Sequence, residues 1–285
     1  MKFIDALKIY PQHILPHHAL SSIMHAATRN RSTLYKNFII KQVIKQYKVD
    51  MSDTLVKDYR DFQTFNHFFT RALKPEARPI CGAANSIACP VDGAVSQIGK
   101  IENGQIFQAK GHSYSLQTLL GNDNSAELFQ NGSFATLYLS PRDYHRIHSP
   151  LNATLKKMIH IPGKLFSVNS VTVQNVPELF ARNERVACIF ETDIGPMAVI
   201  LVGAIFVSSI ETTWAGTITP PNGKVIQTWE YDNDPVKLHK GGELGRFNMG
   251  STAIVLFPEN TMEWEASIQA ESKIQMGQCL GSGLE

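Results

Sequence analysis

Three short stretches of this chain carry side chains suited to chemistry at neutral pH, and each is ambiguous alone. In GRFNMGSTAIVLF, Gly250, Ser251 and Thr252 directly precede a strand-forming run, Ala253 to Phe257. A turn entering a strand holds a backbone carbonyl in the open, and glycine at 250 permits unusual φ and close approach of a nucleophile. The Ser251 hydroxyl is then placed to attack the carbonyl before it. Gly-Ser-Thr is equally an ordinary turn composition. In LSPRDYHRIHSP, Leu139 to Pro150, His145 and His148 lie between two prolines with Arg142, Asp143 and Arg146 close by. Histidine is the usual general base near neutral pH, and charged neighbours tune it. Two histidines three apart also suit a metal, but no third ligand is evident and no metal site is expected. A polar loop with ordinary hydrogen bonds fits as well. In CPVDGAVSQIG, Cys89 to Gly99, Asp92 precedes Gly93 at a strand-edge turn. Its chemical reading requires it to orient a histidine, as the acid of a Ser-His-Asp triad does.

Four further histidines, His13, His17, His18 and His25, have partly helical spacing. Pro11 and Pro16 are expected to break the helix there, which favours surface roles over ligation. The chain contains no GxSxG elbow, HExxH or phosphate-binding loop, which sets aside the common hydrolase, zinc-peptidase and nucleotide readings.

The elements that must position these residues fall into two parts. Residues 1 to about 75 read as helical, with Leu34, Phe38, Ile39, Val43, Ile44 and Tyr47 at helical spacing and Lys36, Lys41, Lys45 and Lys48 opposite. Such a basic amphipathic helix is either docked with a solvated face or laid on anionic lipid. The segment KPEARPI, Lys74 to Ile80, is the junction, since its prolines exclude a continuing helix. Beyond it come short β-branched and aromatic runs such as FATLYLS, VACIFET and TAIVLFP, separated by Gly, Pro and Asn. The fold class expected is α+β, a helical segment (1–75) packed on a mainly β catalytic body (76–285) with sheet-on-sheet packing.

With 285 residues, 43% of them hydrophobic, the chain can bury a proper core. Residues 1 to 60 hold ten Lys or Arg against four Asp or Glu, so the positive charge is N-terminal. Cys81, Cys89, Cys188 and Cys279 show no CxxC spacing and read as free thiols in a reducing compartment. No targeting peptide is expected, since Asp5, Lys8 and Pro11 interrupt the first apolar residues. The longest apolar run, Met197 to Ile210, is too short to span a bilayer, so any membrane contact is expected to be peripheral.

Taken together, VDGAV at Asp92, QAKGHSYSLQTLL from Gln108, LSPRDYHRIHSP, PGKLFSVN from Pro162, NVPELFARNERV from Asn175, WAGTITPP from Trp214 and the Gly-Ser-Thr at 250 to 252 resemble the phosphatidylserine decarboxylase family, in its prokaryotic pyruvoyl-dependent form. The similarity runs from about residue 60 to the C-terminus. The small departure is Met249, where the family more often has Leu, a near-isosteric change.

The resemblance implies that the backbone breaks between Gly250 and Ser251, that Ser251 is the self-cleaving nucleophile and becomes a covalent pyruvoyl cofactor, that His148 is its general base, and that Asp92 orients His148. It implies a decarboxylation role for His145. It further implies that phosphatidylserine becomes phosphatidylethanolamine and CO₂ through a Schiff base, in phospholipid biosynthesis. The expected setting is an anionic membrane surface at the cytoplasmic face of the cell membrane, with a homodimer and no nucleic-acid partner. A diacyl lipid substrate adds weight to the lipid-docked reading of the basic helix, with Lys36, Lys41 and Lys45 as candidate contacts, each Lys contributing on the order of 1 kcal/mol. Two alternatives stay open: a serine hydrolase using Ser251, His148 and Asp92 with its backbone intact, and a membrane adaptor without enzymatic activity.

Overall fold

The computed structural model describes residues 3–205, 209–220, 223–248 and 251–284. Three helices open the chain: α1 (Phe3–Ile14), α2 (His17–Thr28) and α3 (Thr33–Tyr47), followed by the short α4 (Phe65–Phe69). From Ser86 onward the chain is mainly strand, as the pattern predicts.

The helical segment departs from expectation in two places. α1 runs through Pro11 rather than stopping there. Proline removes one backbone donor, but the next turn closes with Leu15 N donating to Pro11 O (3.0 Å). Tertiary contacts hold this end: Ile9 is buried, and Gln12 Oε1 accepts from Ser167 N at 2.8 Å. Likewise His17 is buried rather than superficial, its Nδ1 accepting from Leu165 N at 3.1 Å.

The second departure is the rotation of α3. Leu34 and Phe38, expected on the docked face, are 87% and 64% exposed, while Ile40 and Lys36 are buried. Lys36 Nζ donates to Arg60 O and Asn37 Oδ1, each at 2.7 Å, so Lys36 is a tether within the segment and not a lipid contact. Lys41, Lys45 and Lys48 are exposed. Beneath α3, Phe62, Phe65, Phe68 and Phe69 form a separate small core with Ile40 and Val49. Burying each such ring contributes about 1.5–3 kcal/mol.

The body is built on one large antiparallel sheet. Its strands lie in the order Gln227–Glu230, Ala153–Ile161, Arg185–Thr192, Gly195–Val202, Ser251–Phe257, Ser133–Leu139, Gly93–Lys100 and Lys273–Ile274. The Ser251–Phe257 strand is central and every residue in it is buried, which explains the unbroken apolar run Ala253 to Phe257: neither face meets water. One face packs on the short helices at 116–119, 170–175 and 179–182, through Leu119, Val173 and Phe180 against Ile200, Ile254 and Leu256. The other packs on two smaller sheets, through Ile87, Ile147, Leu244 and Leu280 against Leu137, Val199 and Val255. Sheet-on-sheet packing thus holds on one face and helix-on-sheet packing on the other. One small sheet joins Gly216–Thr219, Ile210–Thr212, Glu243–Phe247 and Arg146–His148; the other joins Ser86–Ala88, Cys279–Gly283 and Met262–Trp264. All four cysteines are free.

Candidate active site

Strand register decides which sequence candidates meet. Ala94 lies opposite Tyr138, Tyr138 opposite Thr252, and Leu139 opposite Ser251. Asp92, Leu139 and Ser251 therefore reach the same end of three neighbouring strands. Gly93 is required at this point, because a Cβ there would stand 2.1 Å from Tyr138 O. That close approach pins Asp92 against the strand beside Ser251. From Leu139 the chain leaves the sheet into the histidine loop, so His145 and His148 arrive at this end too.

Ser251 is fully buried, and its Oγ has no hydrogen-bond partner among the described residues. Gly250 and Met249 lie outside the described residues, so the expected cleavage bond is seen only from its Ser251 side. Upstream, Asn248 is anchored: its backbone N donates to Ser209 O (3.1 Å), its Nδ2 to Ser209 Oγ, and its Oδ1 accepts from Asn66 Nδ2 of α4 at 3.0 Å. The helical segment therefore holds the strand that leads toward residue 250.

His145 is fully buried and stacks on Phe69, ring centroids 4.1 Å apart. Its Nε2 lies 3.0 Å from Ser140 O, so Nε2 carries the proton and the unpartnered Nδ1 carries the lone pair. Burial, helped by the nearby Arg71 charge, pulls its pKa down to about 3 and keeps the ring neutral. His148 is also buried, and desolvation lowers its pKa, opposed by the hydrogen bond to Gly241 and by the Glu243 and Asp92 charges. Its Nδ1 donates to Gly241 O at 2.8 Å, and its Nε2 lies 2.9 Å from the Tyr144 hydroxyl.

The expected Asp92–His148 hydrogen bond is not what the structure shows. Asp92 instead receives Arg78 Nε at 2.9 Å and Nη2 at 2.6 Å, together with Met276 N at 2.9 Å. The two elements still touch through His148 N donating to Pro90 O (2.9 Å), which leaves Asp92 near enough to act by charge. Orientation of the ring comes from Gly241 and Tyr144. Sequence reasoning missed Arg78, Tyr144 and Asn66. Arg78 stood in a segment read only as a junction, and Tyr144 adjoins His145 but acts on His148 one helical turn's worth of sequence away.

Two of the cavities that border this end of the sheet bear on the site. One, of ≈ 300 Å³, is lined mainly by apolar groups, including Val43, Tyr47, Phe65 and Phe69 from the helical segment and Tyr138 and Leu139 from the sheet. The other, of ≈ 830 Å³, is lined by charged and polar groups including Arg71, Asp92, Ser140 and Tyr144. Tyr138 borders both. Among the described residues no group of three or more His, Cys, Asp or Glu is placed to hold a metal ion.

Ser251 Oγ is thus buried without a hydrogen-bond partner among the described residues, at the sheet end that Asp92 and the histidine loop also reach. Comparison with known proteins gives the family. The family model described as phosphatidylserine decarboxylase matches residues 65–282, and a second, described as PSD, matches residues 7–48. A phosphatidylserine decarboxylase proenzyme of Pseudomonas aeruginosa is 54% identical over 286 residues, covering 98% of both chains. Proteins of the same description from Azotobacter vinelandii and Pseudomonas putida are each 53% identical, over 281 and 283 residues, covering 97% and 98% of this chain. The chain belongs to the phosphatidylserine decarboxylase family, an assignment that does not support the serine hydrolase alternative.

Proposed function

We propose that this chain is a self-processing decarboxylase that converts phosphatidylserine to phosphatidylethanolamine and CO₂. What supports the reading is the buried Ser251 hydroxyl, without a hydrogen-bond partner among the described residues, at the sheet end that Asp92 and the histidine loop reach, in a chain of this family. A hydroxyl sealed from water and without a hydrogen-bond partner among the described residues suits a group used by the chain on itself.

In maturation His148 Nε2, with Asp92 supporting it by charge, takes the Ser251 proton by way of the Tyr144 hydroxyl that it meets, and Oγ attacks the Gly250 carbonyl. The amide becomes an ester and frees the amine of residue 251; loss of the Cα proton to a base then breaks the Cβ–Oγ bond, so one piece ends at Gly250 as a carboxylate and the other begins with a dehydroalanine at 251. Water then replaces the nitrogen of residue 251, releasing ammonia and leaving a pyruvoyl group. The orphaned Oγ fits this origin. That group, once formed, supplies a carbonyl for the substrate amine and an electron sink for decarboxylation. Phe69 and the Ser140 carbonyl hold the His145 ring in one orientation, which suits it to pass a proton at the reacting carbon. The apolar cavity under α3 and α4 takes the lipid side of the substrate.

A diacyl substrate also calls for contact with a membrane, and no helix among the described residues is long and apolar enough to cross one. We assign that contact to the helical segment, where Ile14, Ile23, Leu34 and Phe38 are all more than 60% exposed beside Lys41, Lys45 and Lys48. The expected partners are an anionic surface at the cytoplasmic face and a second copy of the chain, the latter read by light scattering in detergent.

The experiment is a Ser251→Ala variant assayed on phosphatidylserine in liposomes. Loss of both backbone cleavage and CO₂ release supports the reading; a variant that still decarboxylates overturns it, and a wild type that releases no CO₂ favours the adaptor alternative.

A further inference from the structure

Arg71 follows α4 and is 3% exposed. Its Nη2 donates to Arg142 O at 2.8 Å and to Asp143 O at 3.2 Å, and the guanidinium carbon stands 5.6 Å from the Phe68 ring centroid. Its Nε and Nη1 have no hydrogen-bond partner among the described residues. An arginine cannot discharge itself by losing a proton, so a buried guanidinium with two idle nitrogens is costly unless an anion meets it.

Neither nearby carboxylate is available. Asp92 is held by Arg78 and Met276 N, and Asp143 Oδ2 accepts from both Ser140 N and Ser140 Oγ at 2.7 Å. Arg71 borders the ≈ 830 Å³ cavity that also meets Asp92, Ser140 and Tyr144. It is tied to the loop that carries His145, through the carbonyls of Arg142 and Asp143, and its charge lowers the pKa of that ring. An arginine serving only to tie down the 142–143 turn would need Nη2 alone.

We propose that Arg71 is the anion-binding residue of the site and holds the phosphodiester of the substrate head group. This rests on the decarboxylation proposed above. The substrate has two anionic groups, and only one is suited to a fixed cation. The carboxylate loses its charge as CO₂ departs, so a cation gripping it would stabilise the ground state more than the transition state and slow the reaction. The phosphodiester keeps its charge throughout, and binding it positions the serine carbon without opposing the chemistry.

The test uses matured enzyme and short-chain phosphatidylserine, with glycerophosphoethanolamine, ethanolamine or L-serine as inhibitors. Wild type is expected to bind glycerophosphoethanolamine at least about tenfold better than either of the others. Arg71→Gln should raise KM and erase that preference while lowering kcat less, and Arg71→Lys should restore part of it. Preference that survives in Arg71→Gln overturns the proposal. So does inhibition of wild type by L-serine equal to that by the phosphodiester, which would assign the cation to the carboxylate. Should Arg71→Gln fail to fold, wild type decides against the neutral methyl triester of glycerophosphoethanolamine: equal inhibition overturns the assignment. A wild type that never cleaves sinks the reaction itself, whereas an active wild type without phosphodiester preference sinks only the role of Arg71.

Discussion

Arg78 holds Asp92 at two points, with Nε 2.9 Å from Oδ1 and Nη2 2.6 Å from Oδ2, and the same guanidinium reaches Asp53 Oδ2 at 2.8 Å. Both members of the pair are largely buried, their side chains 12% and 11% exposed. Asp53 belongs to the helical segment and Asp92 to the edge of the sheet, so one arginine couples the position of the site to the docking of that segment.

Arg78→Met leaves a buried carboxylate without its cation. The expected loss of stability is about 3 kcal/mol or more, with self-cleavage slowed. Chemical denaturation and the ratio of cut to uncut chain on denaturing gels measure the two effects. A variant as stable as wild type would show that Met276 N alone suffices for Asp92.

Tyr144→Phe removes the hydroxyl that meets His148 Nε2 and leaves the ring held only through Nδ1. One hydrogen bond of orientation is worth about 1 kcal/mol, so cleavage should slow roughly five- to tenfold with little change in stability. The half-time of cleavage in a time course measures it, and an unchanged half-time would mean that Gly241 alone sets the ring.

His145 gives stability a defined pH dependence. Its folded pKa, about 3, lies below the ordinary histidine value of 6.5, so below that value the unfolded chain binds a proton that the folded one refuses. Its contribution is complete above about pH 6.5 and is lost as pH falls toward 3, and the lowered pKa of His148 acts with the same sign. Between about pH 7.5 and 5.5 His145 should cost roughly 1 kcal/mol. Denaturation of wild type and His145→Gln at both values tests this, since the variant should lose less stability on acidification.

Replacing Lys41, Lys45 and Lys48 with Gln should weaken binding to anionic vesicles by about 1 kcal/mol per residue, and the loss should shrink as salt is raised. Lys36→Gln should act differently: it breaks the bonds to Arg60 O and Asn37 and should lower stability rather than lipid affinity. Vesicle flotation beside thermal denaturation separates the two.

The contrast between Lys36 and Lys41 shows how far the sequence was legible. Helical spacing revealed α3 and its charge, but apolar residues lie around much of that helix, and periodicity alone does not say which of them dock. The rotation was decided by the Arg60 carbonyl and by the aromatic cluster at 62–69, neither of which helical spacing reports. The Ser251 strand was legible because a run of seven buried residues needs no partner to be recognised. His148 was legible as a candidate base from its type, but its acceptor, Gly241, lies 93 residues on, and the partner of Asp92 is an arginine across a proline-rich junction. Residue types carry chemistry locally; which group touches which is settled by the packing of distant strands.

The central claim is that Ser251 ceases to be serine. Mass spectrometry of the intact purified protein, and of its peptides across residues 246–257, tests it most directly. The account predicts two pieces, one ending at Gly250 and one of 35 residues beginning with a pyruvoyl group in place of Ser251 and shifted further by borohydride reduction. A single uncut chain with an unmodified Gly250–Ser251 peptide, from protein that decarboxylates phosphatidylserine, would contradict it.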